Sequence, residues 1–436
     1  MPVFKAYDVR GKYPSEIDER LAERLGSATV RFLKAKRIAV GRDVRLSAPA
    51  IAEAVARGAG CEVVDVGLCT TPMLYFAVGH LGLDGGVMVT ASHNPPEDIG
   101  FKICRERAFP IGERTGLKEI ERMCADPPAG GSRVASRTIV NDYRAHLRRH
   151  LEKVPKLKVA VDTAHGAVGA HFDAVFGDLP VEFVRLCFAP DGNFPSHEPN
   201  PLKDENVRDL QAAMKETRAD LGVAFDGDGD RCMFLGPGGT RIPSDLVTVL
   251  LARRELRRNP GAGIVYDLRS SRVVPEEIRK AGGEPIRERV GHAFIKETMK
   301  KRNAVLGGEL SGHYYFRDHF FADSGMMAFA KVLDLLGHEG RPIQELLAPL
   351  QRTYRTGEVN FKVPDKDGLM RALAQTFKDG RQDTLDGITV EYDDWWFNVR
   401  PSNTEPLLRL NLEATTAERL ERAKEELMKI LGHPEE

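Results

Sequence analysis

The sequence predicts an α/β protein: three related α/β domains with mixed sheets, followed by a smaller C-terminal α+β domain. Three observations carry that expectation. An apolar strand, a loop rich in Asp, Arg, Gly or Ser, and a helix-like stretch recur three times. Each unit is followed by a second apolar strand that ends in an unusual loop. Beyond about Thr353 the pattern changes to short alternating segments and two helical stretches. Strand–loop–helix units build parallel or mixed sheets with ligand loops at the strand ends. The units share a pattern and not an identity, so they read as a weak internal repeat.

In chain order, the first strands lie over 38–43, 159–162 and 264–267, and lead into helices over 48–55, 168–176 and 274–280. The second strands lie over 86–90, 221–225 and 303–306. The fourth domain reads as a strand over 357–363, a helix over 367–377, and alternating segments over 388–392, 395–399 and 407–412. It closes with a helix over 417–431, where Leu420, Ala423, Leu427 and Leu431 fall at helical spacing. Stretches 125–136 and 235–239 read as loops or linkers. Trp395-Trp396 reads as core and rim packing. The domain limits expected from this pattern are 1–141, 142–242, 243–352 and 353–436.

Composition excludes several classes. With 63 basic and 64 acidic residues the net charge is −1, so bulk charge favours neither nucleic acid nor an anionic membrane as partner. No uninterrupted apolar run approaches the roughly 18 residues of a spanning helix, and the start, MPVFKAYDVRGK, lacks an apolar signal core. Cys61, Cys69, Cys104, Cys124, Cys187 and Cys232 form no CxxC pair, and read as reduced thiols of a cytoplasmic protein.

The most informative loop is Asp226-Gly-Asp-Gly-Asp-Arg231, directly after the apolar run 221–225. Carboxylates at alternate positions of extended backbone point to one side, and the glycines let the chain turn so that they converge. Converging carboxylates repel unless a cation neutralises them, and hard oxygen ligands suit Mg²⁺. Arg231 adds a planar fork suited to phosphate oxygens. An EF-hand is excluded, because Arg231 and Pro237 stand where that loop requires Gly and Glu.

Three further loops carry chemistry. Thr90-Ala-Ser-His-Asn-Pro95 places Ser92 on a turn after a buried strand, as a candidate nucleophile or phosphoryl carrier, with His93 as base or phosphate donor. Lys102 and Arg105 follow within reach of an anion. Gly307-Gly-Glu-Leu-Ser-Gly-His313 combines a carboxylate and a hydroxyl, which suit vicinal sugar hydroxyls, with glycines that allow close approach. Arg400-Pro-Ser-Asn-Thr404 reads as a phosphate cradle that holds without reacting. Tyr7-Asp-Val-Arg-Gly11, Gly41-Arg-Asp-Val-Arg45 and Gly291-His292 are weaker signals, each equally readable as a surface turn.

In this order the loops resemble those of the α-D-phosphohexomutase superfamily, most closely its bacterial phosphomannomutase/phosphoglucomutase branch, over essentially the whole chain. The resemblance implies a four-domain, heart-shaped enzyme around a central cleft. It implies that Ser92 is a phosphoserine that completes a Mg²⁺ site with Asp226, Asp228 and Asp230. Arg10, Lys102, Arg231 and His93 would surround the transferring phosphoryl group. Glu309 and Ser311 would hold sugar hydroxyls, with His292, His313 and Arg269 near the substrate. Arg400, Ser402, Asn403 and Thr404 would bind the non-reacting phosphate. It also implies a small hexose phosphate as partner and a glucose or mannose 1,6-bisphosphate as activator; monomer and dimer stay open.

Three positions depart from the family's usual pattern: Asp98-Ile99 stands for Tyr-Asn, His165-Gly166 for Asn-Gly, and Arg269 for a lysine. Asp98 is expected to face solvent, because an inward carboxylate would repel a phosphoserine. The sugar loop reads Glu309-Leu-Ser311. It is closer to the Glu-Met-Ser of dual glucose/mannose enzymes than to the Glu-Gln-Ser of phosphoglucosamine mutases, and Leu for Met nearly conserves volume. Phosphoglucosamine mutase is the alternative. A metal-dependent sugar phosphatase and a sugar-phosphate-binding protein without catalysis are the readings from other classes.

Overall fold

The three repeated units fold as three sheets with one strand order. The computed structural model describes residues 3–5, 7–402 and 407–434. In the first sheet the core strands are Arg37–Arg42, Glu62–Leu68, Gly85–Val89, Asp98–Arg105 and Phe109–Pro110. In the second they are Lys158–Asp162, Glu182–Leu186, Leu221–Phe225, Cys232–Gly236 and Thr240–Arg241. In the third they are Gly263–Asp267, Glu284–Glu288, Leu306–Gly308, Tyr314–Phe316 and Ala322–Asp323. Each sheet runs fifth, fourth, third, first, second in space. The third, first and second strands are parallel, and the fourth and fifth antiparallel. The first sheet also takes Val9–Lys12 against Asp98–Arg105, and Arg133–Ser136 at its other edge.

This topology gives three equivalent hairpin loops, each joining a third strand to its antiparallel neighbour. They carry Ser92, the three aspartates, and Glu309 to His313. Gly85–Val89, Leu221–Phe225 and Gly263–Asp267 are buried at every residue, which explains their continuous apolar runs.

Three expectations need correction. The strand expected over 303–306 is Leu306–Gly308. The preceding helix, His292–Arg302, runs on until Asn303 ends it in the left-handed region at φ 50°. The glycines continue as strand through pairing with Gly263–Asp267 and Tyr314–Phe316, and glycine is needed at 308 because a Cβ there would lie 2.1 Å from Thr248 Oγ1. The stretch 125–136 is not all loop, since Arg133–Ser136 pairs parallel with Glu62–Leu68; its four residues are exposed and show no apolar alternation. In 235–239, Leu235 and Gly236 finish a strand, and the turn is Pro237–Gly239.

The three α/β domains share one apolar core. The helix Gly325–Glu339 is capped by Ser324, whose hydroxyl accepts from Met327 N at 3.1 Å, and every residue over 325–337 is buried. Phe329 on that helix packs against Phe172 and Phe176 of the second domain, at ring distances of 5.7 and 5.1 Å. Phe76 of the first domain meets Tyr143 of the second at 5.4 Å. Each such ring contributes roughly 1.5–3 kcal/mol when fully buried.

The fourth domain has its own core around Phe361, Trp395, Phe397 and Leu427, in a five-stranded antiparallel sheet. Trp395 is core and Trp396 borders the cleft, as core and rim packing requires. Polar contacts join this domain to the third: Arg272 donates to Tyr392 O at 2.7 Å, Arg287 to Glu391 at 2.5 Å, and Arg355 to Asp245 at 2.7 Å. Among the described residues, no helix is long and apolar enough to cross a membrane.

Candidate active site

Ser92 sits at the tip of the first hairpin loop in the left-handed region, φ 53°, and is 2% exposed. A non-glycine residue there is strained and must be held. Its amide donates to Thr90 Oγ1 at 2.8 Å, and Thr90 Oγ1 donates to Asp43 Oδ2 at 2.7 Å. Arg45, fully buried, donates to the carbonyls of Ser92 at 3.0 Å, Asn94 at 2.7 Å, Asp98 at 2.9 Å and Pro95. Asp43 neutralises it at 3.2 Å, and the ring of Phe194 lies 5.3 Å away. Gly41-Arg-Asp-Val-Arg45 is thus no surface turn. The sequence offered Asp43 and Arg45 only within a weak signal and gave them no role, because charged residues after a strand look solvated.

The Ser92 hydroxyl donates to Asp226 Oδ2 at 2.9 Å, and His93 Nδ1 lies 3.1 Å from it. Asp226, Asp228 and Asp230 are buried, and one oxygen of each lies within 4.8 Å of the others. Gly229 supplies the turn at φ 73°, and donates its amide to Asp226 Oδ1 at 3.0 Å. Gly227 serves close approach instead, since a Cβ there would lie 2.6 Å from Ser92 O. Lys102 is no surface lysine. Its Nζ bonds Asp228 Oδ2 at 2.6 Å and Asp230 Oδ2, and these carboxylates outweigh burial to raise its pKa. Thr71, at the N-terminus of the helix Thr71–His80, donates its hydroxyl to Asp228 Oδ2 at 2.6 Å and its amide to Asp228 O at 2.9 Å. It too was missed, although Thr70-Thr71-Pro72 reads as a helix cap.

Burial, then repulsion from Asp230 and Asp228, pushes the Asp226 carboxyl well above the usual range. Asp230 goes the other way: burial would raise it, but Lys102 and His313 hold it well below. Asp228 Oδ1 is buried without a hydrogen-bond partner, and Asp230 Oδ1 lies 3.3 Å from His313 Nε2 without the alignment of a bond. Three converging carboxylates, two of them with an open oxygen, are the donor set of a hard divalent cation, so the loop fits Mg²⁺.

Arg10 donates to Asn94 Oδ1 at 2.7 Å and is paired with Asp8. Asp98 does not simply face solvent: its Oδ2 accepts from Asn94 Nδ2 at 2.8 Å, so Asn94 stands between it and Arg10. Ile99 is core. Arg105 turns away to Thr115 O at 2.7 Å. His165 ties its loop to the segment after Glu182–Leu186, at 2.9 Å from both Ala189 O and Ser196 Oγ.

The second and third loops are stitched together. Arg231 and His313 form an isolated β-bridge, and Cys232 N donates to Gly312 O at 2.9 Å. Arg231 Nε lies 3.3 Å from His313 Nε2 and 4.0 Å from Asp226 Oδ2. Asp230 outweighs burial to raise the His313 pKa to about 9. Glu309 is held to about 2, against burial, chiefly by His313; Tyr315 donates to its Oε2 and Gly291 N to its Oε1 at 3.0 Å. Ser311 Oγ lies 2.8 Å from His313 Nδ1.

From Arg231 and His313 a cleft of about 980 Å³ opens between the four domains. Tyr7, His292, Arg269, Glu309 and Ser311 line one side; Arg400, Ser402, Arg409 and Glu358 line the fourth-domain side. Asn403 and Thr404 lie outside the described residues. The structure therefore brings Ser92, His93, Lys102, Arg231 and the three aspartates into one cluster, with Arg10 at its edge through Asn94. It sets Arg269, His292, Glu309, Ser311, His313, Arg400 and Ser402 around the adjoining cleft. Glu358 and Arg409 were not anticipated.

Three α/β domains that meet at a serine beside three buried aspartates, with an arginine-walled cleft adjoining, define a phosphotransferase. The chain belongs to the phosphoglucomutase/phosphomannomutase family. Models of its α/β/α domains I, II and III match residues 1–127, 140–239 and 243–354, and that of its C-terminal domain matches 358–430. A Xanthomonas campestris pv. campestris protein named "Phosphohexose mutases" is 43% identical over 444 residues, covering 99% of both chains. A phosphomannomutase of Escherichia coli is 40% identical over 449 residues, covering 98% of both. The crystal structure of a phosphoglucomutase/phosphomannomutase family protein from Burkholderia thailandensis superposes with a TM-score of 0.91 at 34% identity, over 98% of this chain and 96% of that one.

Proposed function

We propose that this protein is a phosphohexomutase that moves a phosphoryl group reversibly between the 1- and 6-positions of a hexose phosphate, by way of phosphorylated Ser92 and a 1,6-bisphosphosugar. One observation carries this reading. A serine beside a loop of three converging carboxylates adjoins a cleft walled by a second set of arginines, so one end of a substrate can react while the other is held.

The Oγ–phosphorus bond of phosphoserine 92 breaks as a sugar hydroxyl bonds to phosphorus, and the bisphosphate then turns so that its other phosphoryl group returns to Ser92. Positioning and electrostatic stabilisation dominate such transfers. Mg²⁺ at Asp226, Asp228 and Asp230 would neutralise charge on the transferring group. Lys102 and Arg231 contribute fixed positive charge beside it, and Arg45 fixes the loop that carries the serine. Burial, then Arg231 and Arg10, lowers the His93 pKa, so a neutral imidazole is available for the hydroxyl proton. Glu309 and Ser311 are placed to take sugar hydroxyls, with His292 and Tyr7 beside them. Arg269, Arg400 and the loop of Ser402, Asn403 and Thr404 take the second phosphate.

Glu309-Leu-Ser311 supports mannose and glucose phosphates as substrates, ahead of glucosamine phosphate, with the matching 1,6-bisphosphate as activator. Four separate sheets support a division into four domains, which we take at 1–141, 142–242, 243–352 and 353–436, and six unpaired cysteines support a reducing compartment, the cytoplasm.

The test is a ³¹P NMR time course with Mg²⁺ and a trace of bisphosphate, on mannose, glucose and glucosamine 1-phosphates in parallel. Conversion to a 6-phosphate is expected, fastest for mannose or glucose, and abolished by Ser92→Ala. Accumulation of free phosphate would instead identify a phosphatase.

A further inference from the structure

A carboxylate stands inside the cradle assigned to phosphate. Glu358 belongs to Tyr354–Lys362, the first strand of the fourth domain, and lines the cleft. Its Oε2 accepts from Arg400 Nη2 at 2.8 Å and from Arg269 Nη1 at 3.4 Å, and its Oε1 accepts from Arg409 Nη1 at 3.1 Å. Three guanidinium groups from two domains thus share one side chain.

The frame around it is rigid. Arg400 and Arg409 stand directly opposite each other on adjacent antiparallel strands, an arrangement of like charges that destabilises a sheet unless an anion lies between them. Glu358 reaches them from the third strand of the same set, which pairs with Leu407–Ala414. Arg400 Nε is buried without a hydrogen-bond partner, so the cradle retains a donor that Glu358 does not satisfy. Arg269 is also bonded to Asp267 at 2.8 and 3.2 Å, and ties the third domain to the carboxylate.

A substrate phosphate brings its own negative charge, and a fixed carboxylate beside it is repulsive. A site built only for tight phosphate binding would leave these arginines unpaired. A mutase has a different need, because its bisphosphate must release the cradle by one end and return by the other.

We propose that Glu358 tunes this site by competing with the non-reacting phosphate for Arg400, Arg409 and Arg269, so that each bond the departing phosphate breaks is replaced by one to the resident carboxylate. The inference rests on the function proposed above. When no phosphate is present, the same carboxylate clasps the fourth domain to the third through Arg269.

The test separates the two. Inorganic phosphate is titrated calorimetrically, without divalent metal, into Ser92→Ala protein and into the same protein carrying Glu358→Gln. An Arg400→Gln variant identifies the part of the binding that belongs to the cradle. With Glu358→Gln the cradle should bind phosphate more tightly, on the order of tenfold. In turnover, the same change in otherwise wild-type protein should lower KM and kcat together, the pattern of a ligand held too long. Glu358→Asp, which keeps the charge, should move both values back toward wild type. Unchanged or weaker phosphate binding in Glu358→Gln would overturn the proposal and leave the carboxylate as a brace for the arginines. The phosphate titration needs no turnover, so absence of 1-to-6 conversion by the wild-type enzyme would refute the mutase reading separately.

Discussion

The guanidinium of Arg45 donates to the backbone carbonyl of Ser92 at 3.0 Å, although 47 positions separate them in the chain. The strained serine is therefore held by a buried charge that does not touch the reacting atoms. Lysine cannot span the four carbonyls that the planar fork reaches. Arg45→Lys should lower kcat on the order of a hundredfold with little change in KM, since small displacements of reacting groups cost about that much. Steady-state kinetics with a parallel melting curve checks this; an equal rise in KM would mean that the cleft, and not the serine, had moved.

Gly227 offers a second way to displace the serine, from the aspartate loop of the second domain. A Cβ there would lie 2.6 Å from Ser92 O, and backbone cannot yield as a flexible side chain would. Gly227→Ala should fold, melt a few degrees lower, and lose activity by roughly 10²-fold for the same reason of displacement. Wild-type kcat in this variant would show that the two loops need not touch.

Among the described residues, Lys102 is the one side chain that pairs with both Asp228 and Asp230, the carboxylates a divalent cation would share. Lys102→Met leaves three buried carboxylates without it, which is costly. In EDTA the variant should melt well below wild type, and Mg²⁺ should raise its melting temperature more than it raises the wild-type value. Equal Mg²⁺-dependent shifts would show that Lys102 does not share the cation's role.

The junction of the first three domains should be acid-sensitive. His146 Nε2 lies 3.1 Å from His319 Nδ1, Arg149 Nη2 lies 2.7 Å from His146 Nδ1, and Lys331 lies 3.4 Å from His150. Burial, then the neighbouring cations, lowers His146 to about 4 and His150 to about 3; burial, then His146, lowers His319 well below its usual value. Unfolded histidines titrate near pH ~6.5. Below that pH the unfolded chain binds protons that the folded chain refuses. Stability is therefore fully present above it, and falls steadily until the folded pKa is reached. For His146, which is 4% exposed, the loss at pH 5 is about 2 kcal/mol. Urea melts between pH 7.5 and 5 should show the fall, and His146→Phe should flatten it.

What the sequence made legible follows from burial. The three chemistry-bearing loops could be found because each follows a run that is apolar at nearly every residue, and because Asp226, Asp228 and Asp230 repeat at a spacing that few other roles require. The terminal helix Ala417–Leu431 was readable to the residue from its apolar stripe, and the structure adds its Thr416 cap. Arg133–Ser136 was not, because an exposed edge strand has no inner face to pattern. Arg45 and Glu358 were hidden for another reason: a charged side chain carries no local mark of whether its partner is water or a backbone far along the chain. Lys102 was found but undervalued, since nothing in its neighbours announces that two aspartates from another domain will enclose it.

The shared strand order of the first three sheets bears on how such a protein can change over generations. Ser92, the three aspartates and Glu309 each occupy the same hairpin of a repeated frame. A substitution in one hairpin can therefore be tried while the other two frames go on folding as before. On the function proposed, selectivity for a new sugar could arise by altering residues 309–313 alone, with Ser92 and the aspartates unchanged. The limit on that freedom lies where the copies meet, at the Arg231–His313 bridge, the Ser92–Asp226 bond and the shared apolar core, where they must continue to agree.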